Sequence, residues 1–424
     1  MQKKIVALAI AGLVSAGAYA QSNVQIYGII DYGYSYRHDM YKAAKNVKGF
    51  HHSKSHGTFD SGQSAGNRLG FKGVEDLGNG LKAVFVLERG FALDTGADIA
   101  GFNRQAYVGL SGNWGTLAGG LINTPYYTLI SAIDPFGGTT VGAYQNVKRD
   151  IANTVTGVTT NGGIFDPVRV KNSLAYISPN WGIFSFVAAF SNNALADDNE
   201  QATKAAASSS VGADGTTITT TKAVTRWTNA KNNTVYTVGG NLKGEKYLVG
   251  LTYHHISVGN TARESSGLKG VNDVTLGGYY DFGVVKLSAF WSWDQVKYSN
   301  KATAGKNRKT WNQNNFMIGA TVPFGKHAVK ASVNFSTATK DRPARNADGT
   351  QNVNAIPYGG RAWQLAVGYT YNFSKRTNFY AVYSYINNKN QTKTKVGRAA
   401  VVNDAQNSGG VYQQGFQLGL KHSF

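Results

Sequence analysis

Beyond residue 20 the chain alternates apolar and polar positions with a period of two over stretches of about ten residues. In residues 362–373, Trp363, Leu365, Val367, Tyr369, Tyr371 and Phe373 share one face, and Gln364, Ala366, Gly368, Thr370 and Asn372 share the other. Residues 328–337 and 285–293 repeat the pattern, with Lys330 and Lys286 on the polar faces. Successive side chains of a strand point to opposite faces. Each stretch is therefore a strand with one greasy side and one small, polar side.

The breaks between strands alternate in length. Seven short turns lie near 75–80, 112–115, 179–182, 242–245, 281–283, 323–326 and 374–377. Eight long breaks lie near 38–62, 92–102, 125–167, 192–232, 259–271, 299–312, 340–360 and 388–410. Fifteen connections predict sixteen strands. All seven prolines fall in the breaks, because proline cannot donate to a continuous ladder. In hydrocarbon an unpaired N–H or C=O finds no partner, so only helices and closed barrels span it. Tilted strands of about ten residues are long enough to cross, and short turns at one rim with long loops at the other is the outer-membrane arrangement. The expected fold is all-β: a transmembrane 16-stranded antiparallel β-barrel with residues 125–167 folding inward. A soluble sandwich or β-helix would bury its greasy faces and would not need Tyr, Trp and Phe along nearly every strand. Aromatics near strand ends, such as Tyr34, Tyr36, Phe85, Tyr279, Tyr280, Trp291 and Tyr383, suit girdles at the two membrane–water boundaries.

Composition sharpens this picture. Glycine takes 51 of 424 positions, about 12 % against roughly 7 % in average chains. Only 16 % of residues are charged and cysteine is absent, which excludes disulfide scaffolds and thiolate metal centres. Residues 1–20 read as a cleaved export leader, with Lys3 and Lys4, an apolar run and an Ala18-Tyr19-Ala20 exit. The mature chain, 21–424, is one domain because a closed barrel cannot be divided. Removing Lys3 and Lys4 from the 43 basic residues leaves 41 against 23 acidic ones, a net charge of +18. Export makes nucleic acid an implausible partner for this charge.

Alternation also orients the interior. A Lys or Arg facing lipid at the midplane would cost ~2–4 kcal/mol. With Leu69 and Phe71 toward lipid, Arg68, Gly70 and Lys72 point inward; with Tyr107 toward lipid, Arg104, Ala106 and Val108 do; with Leu174 and Tyr176 outside, Arg169, Lys171 and Ser173 do. The same reasoning turns Lys82, Lys286, Lys330, Glu88 and Asp31 inward. A bland alternative for each arginine is a structural ion pair with a carboxylate such as Glu88.

Several motifs carry a family resemblance. They are the opening strand Val24-Gln25-Ile26-Tyr27-Gly28-Ile29-Ile30-Asp31, Asn67-Arg68-Leu69-Gly70-Phe71-Lys72-Gly73 with Glu75-Asp76-Leu77-Gly78-Asn79-Gly80, Asn103-Arg104-Gln105-Ala106-Tyr107, Asp134-Pro135-Phe136-Gly137-Gly138, Arg169 to Tyr176, and the terminal Phe424. In this order they resemble the Gram-negative general porins, most closely the β-proteobacterial branch. The resemblance covers essentially the whole mature chain. It implies a homotrimer in the outer membrane, an inward-folded loop, and Arg68, Arg104 and Arg169 lining a constriction opposite Asp134. Two departures stand out: Leu121-Ile122 occupies the place of a frequent Arg-Gln pair, and Asp134 is the lone acid near its Pro-Phe-Gly turn.

The expected site is thus Arg68, Lys72, Glu88, Arg104, Asp134, Arg169, Lys171 and Lys330, lining a water-filled passive channel for small hydrophilic solutes and ions. Rings of Arg and Lys favour anions, and low-dielectric walls strengthen their field. The alternative is a channel selective for organic anions or sugars. No catalytic Ser–His pair, cofactor motif or convincing metal set is found: His38, His51, His52 and His56 lack supporting carboxylates and read as part of a basic loop able to meet lipopolysaccharide phosphates. Residues 192–232, rich in Ala, Ser, Thr and Asn, are expected to form a mobile surface loop.

Overall fold

The computed structural model describes residues 23–42, 51–97, 101–137, 140–148, 159–160, 167–192, 194, 202–211, 217–226, 233–259, 268–299, 310–339, 360–389 and 409–424. The expected leader lies outside these residues, as do most tips of the long breaks. No described helix is long and apolar enough to cross a membrane. Strands do the crossing instead.

The staves are β1 (Asn23–Lys42), β2 (His51–Ser61) with β3 (Arg68–Gly78), β4 (Leu81–Gly90), β5 (Gln105–Gly112), β6 (Gly115–Asn123), β8 (Pro167–Ile177), β9 (Phe184–Ser191) and β12 (Thr234–Lys243). They continue with β13 (Tyr247–Ser257), β14 (Leu268–Asp281), β15 (Lys286–Tyr298), β16 (Trp311–Phe324), β17 (His327–Ala338), β18 (Arg361–Asn372), β19 (Thr377–Lys389) and β20 (Gly409–Ser423). β2 and β3 are two halves of one bent stave, since both pair with the same side of β1. The two-residue β7 (Thr159–Thr160) only edges β8. Sixteen antiparallel staves result, and β20 pairs with β1 from Ile29↔Ser423 to Lys42↔Gly409, closing the cylinder. Phe424 completes the seam: its N–H and C=O exchange hydrogen bonds of 3.1 Å each with Gly28. Its ring fills the space a side chain at residue 28 would need.

Burial is inverted relative to a soluble protein. Val333, Phe335, Leu365, Leu251, Tyr253 and Ile318 are exposed, whereas Gln313, Asn315, Ser292, Gln364 and Ser384 are fully buried. Contiguous exposed apolar surface on this scale requires a nonaqueous surrounding. The buried amides and hydroxyls bond one another inside, as Gln313 Nε2 does to Ser336 Oγ (2.6 Å) and Asn315 Nδ2 to Ser292 Oγ (3.0 Å).

All seven short turns stand where the alternation stops. Three long breaks are more ordered than expected. The break at 38–62 is largely strand, with β1 running to Lys42 and β2 returning from His51. Within 192–232, expected as a mobile loop, β10 (Ala202–Val211) and β11 (Thr217–Arg226) form a ten-pair antiparallel hairpin. Residues 125–167 open with a helix, α1 (Pro125–Ile133), inside the barrel.

Candidate functional site

The site begins at the bend of the second stave. Asp31 is fully buried, and its Oδ2 accepts from the Ser64 and Ala65 N–H groups at 2.6 Å each while Oδ1 accepts from Tyr380 Oη at 2.6 Å. The Asp31 N–H donates to Asn67 Oδ1 (2.6 Å), and Gly62 N–H donates to the Asp31 carbonyl (2.8 Å). This web fixes residues 62–67 against the wall and aims the next residue, Arg68, into the lumen.

There Glu88 gathers the cations. Its Oε1 lies 2.6 Å from Arg104 Nε and 3.9 Å from Arg68 Nη1. Its Oε2 accepts from Tyr27 Oη at 3.1 Å. Arg169 stands 5.5 Å from the Tyr127 ring centroid, and Tyr127 has all three guanidiniums and Glu88 as electrostatic neighbours. Three cations thus share one carboxylate. Lys72 faces the same lumen, its ammonium 5.4 Å over the Tyr27 ring.

Opposite them, α1 supplies a ledge. Thr124 caps it by accepting from Tyr127 N–H (3.1 Å), and proline occupies its first turn. Tyr126, Leu129, Ile130 and Ile133 pack against Leu248, Phe290 and Met317 of the wall. No basic residue lies in the helix's last turn; wall lysines serve one carbonyl of that turn and one two residues past it instead. Lys286 Nζ donates to Ala132 O (3.2 Å) and Lys330 Nζ to Pro135 O (2.8 Å), a favourable pairing of cations with the negative helix end. Lys421 is an electrostatic neighbour of both Arg68 and Lys330, and Lys330 of Lys286. A recess of about 230 Å³ opens beside Lys330 and Lys421, with Phe136 and Thr140 on the loop side and Asn372 and Asn378 on the wall.

Four expectations need correction. Asp134 does not oppose the arginines as a free acid: its carboxylate accepts from its own loop, from Phe136 N–H (2.9 Å) and Tyr144 N–H (3.3 Å). Lys171 is exposed at a bulge where the β6–β8 register shifts and Asn172 takes a positive φ of 49°; it is not part of the Glu88 group. Tyr107 points inward, paired with buried Val86 and packed on the cluster of Ala118, Ile122 and Ala175. Val108 points out and is 66 % exposed. Alternation gives the wrong phase here because β5 starts at Gln105, so Arg104 precedes the strand and reaches Glu88 from a bend. Ile122 joins that same apolar cluster. The residues that sequence reasoning misses are Tyr27, Tyr127 and Lys421. Tyr27 and Lys421 lie on alternating strands and are readable as inward; Tyr127 is hidden because no period of two exists around it.

A closed barrel, greasy outside and polar within, narrowed by an inward segment facing clustered cations, defines a transmembrane channel. The chain matches the Gram-negative porin family model over residues 7–391 and belongs to that family. It is similar to outer membrane porin protein 32 of Delftia acidovorans, at 30 % identity over 430 residues covering 100 % of both chains. It also resembles an outer membrane porin protein of Bordetella pertussis, at 28 % identity over 92 % of this chain and 95 % of the relative. Among solved structures, the anion-selective porin from Comamonas acidovorans superimposes with a TM-score of 0.67 at 23 % identity, covering 95 % of this chain and 100 % of that one. The protein is an outer-membrane porin, and family and fold point to a channel rather than an enzyme.

Proposed function

We propose that this porin is a passive diffusion channel preferring anions, with Arg68, Arg104 and Arg169 as its selecting group. The observation that carries the reading is the line of cations Arg169, Arg104, Arg68, Lys421, Lys330 and Lys286, each an electrostatic neighbour of the next. Among the described residues the acids beside them are Glu88, Asp31, Asp134 and, next to Lys286, Asp281, and Asp31 and Asp134 are already engaged by backbone N–H groups. A net positive lumen wall of low dielectric attracts anions and repels cations. The solved porin from Comamonas acidovorans, described as anion-selective, supports the same reading. A reversal potential across a KCl gradient in planar bilayers tests it. The wild type should read anion-preferring, and Arg68→Ser with Arg104→Ser should reduce that preference. Cation preference in the wild type, or an unchanged potential in the double variant, would sink the proposal.

The recess beside Lys330 and Lys421 favours a second reading, selectivity for organic anions. That reading alone expects saturable transport or current block by a particular organic anion. We also infer a homotrimer, as membership of the family suggests; mobility on unheated against boiled gels tests it.

A further inference from the structure

Lys148 lies on the inward-folded segment, yet its side chain is only 2 % exposed, so it does not face the conduction path. Its ammonium sits 3.0 Å from Asp273 Oδ2 and 3.1 Å from Asp294 Oδ1. It also donates to Tyr126 Oη (3.2 Å) and stands 4.7 Å over the Tyr126 ring. Asp273 and Asp294 are direct cross-strand partners on β14 and β15. Like charges at such a position repel, and burial makes an uncompensated pair far worse. The wall therefore presents two facing carboxyl groups, and the Lys148 ammonium lies against both.

Neighbouring side chains also bond the two carboxyl groups. Thr275 Oγ1 donates to Asp273 Oδ1 (3.2 Å), and Asn315 Nδ2 donates to Asp294 Oδ2 (2.7 Å). Buried His254 is an electrostatic neighbour of Asp273 and of Lys148. On the segment's side, the Tyr126 and Tyr144 hydroxyls bond each other, and the Tyr144 ring meets Phe290 edge-on at 4.8 Å. One lysine thus joins the start of the inward segment, at Tyr126, to residue 148 farther along it and to two staves of the wall.

We propose that Lys148 and the Asp273–Asp294 socket form a clasp that holds the inward-folded segment against the β14–β15 wall and so sets the open cross-section. Lys148 is a positioning residue, distinct from the cations that select ions. The proposal rests on the porin reading only for its conductance readout. A labelling readout stands apart from it.

The native chain has no cysteine, so Ala143→Cys, at a position 1 % exposed on the same segment, gives a unique reporter. With the clasp intact it should resist a water-soluble maleimide. Lys148→Met, and separately Asp273→Asn with Asp294→Asn, should speed labelling roughly tenfold or more, as expected when a local opening equilibrium shifts. Single-channel conductance should rise, roughly twofold if the segment halves the passage, while the sign of the KCl-gradient potential is kept because the arginines are untouched. Lys148→Met leaves two facing carboxylates unpaired and can compromise folding. The double Asn variant removes that repulsion, and unheated gel mobility verifies the barrel. Folded double-Asn barrels with wild-type labelling and conductance would overturn the clasp. So would a Lys148→Met channel that loses anion preference at unchanged conductance, since Lys148 would then be a lumen cation. A wild type with no anion preference but the expected labelling would fail the selectivity reading and leave the clasp standing.

Discussion

Glu88 is the residue on which the cation group turns. Its side chain is 4 % exposed and holds Arg104, Arg68 and Tyr27 at once. Glu88→Gln keeps a hydrogen-bonding end but deletes the charge, which should move two properties in opposite directions. Anion preference should increase, because the local balance gains one positive charge; stability should fall by on the order of 1–3 kcal/mol, the cost of weakening charge-assisted bonds at a buried group. Reversal potential and the temperature at which unheated-gel mobility is lost read the two effects. Arg68, Lys72 and Glu88 are legible in the sequence because each lies inside a strand whose neighbours fix the phase. Arg104 is legible as a lumen residue too, but by a phase carried back past the start of β5, which is why the same phase turns Tyr107 and Val108 the wrong way. Lys171 is lost to a single residue, Asn172, whose positive φ resets the alternation. A bulge leaves no mark in a period-two pattern beyond one extra position.

At the level of elements, the inward segment and the wall beneath it are cut to fit. Side chains added at Gly239, Gly250, Gly277 and Gly319, on β12, β13, β14 and β16, would overlap Pro125, Leu129, Ile133 and Pro135 in turn. A track of missing side chains therefore runs under α1, and part of the high glycine content is explained as space. Gly277→Val should displace α1 toward the lumen and lower single-channel conductance while leaving the barrel intact by gel mobility. Deleting residues 130–142 should do the reverse and raise conductance; no change would place the segment's influence outside the ion path. The strands and short turns are legible because backbone pairing and lipid together enforce a strict period of two. α1 is not, although Thr124-Pro125 is a cap-and-first-turn signal and Tyr126, Leu129, Ile130 and Ile133 repeat at helical spacing. Its nine residues are too few for that spacing to stand out within so long a break, and such a short helix is held by the wall rather than by its own propensity.

For the molecule as a whole, the excess of basic residues becomes a field with a location. The exterior facing lipid is apolar, so the charge of the barrel is divided between the lumen and the rims. The lumen share runs around the interior, from Arg169 on β8 through Arg104, Arg68, Lys421 and Lys330 to Lys286 on β15. Selection by such a field, rather than by a tight binding pocket, has a signature in salt. Screening acts over about 10 Å at 0.1 M and about 3 Å at 1 M. At low salt the wall's field reaches across a narrow passage, and at high salt each cation acts only on what touches it. Anion preference, measured at a fixed KCl ratio, should therefore be strong with baths near 0.1 M and decline toward the ratio of free mobilities near 1 M. In the Arg68→Ser, Arg104→Ser double variant the dependence on salt should flatten, since less field remains to screen. A wild-type preference that held constant across this range would assign selection to direct coordination of the ion at the contacts around Glu88 rather than to the summed charge of the lumen.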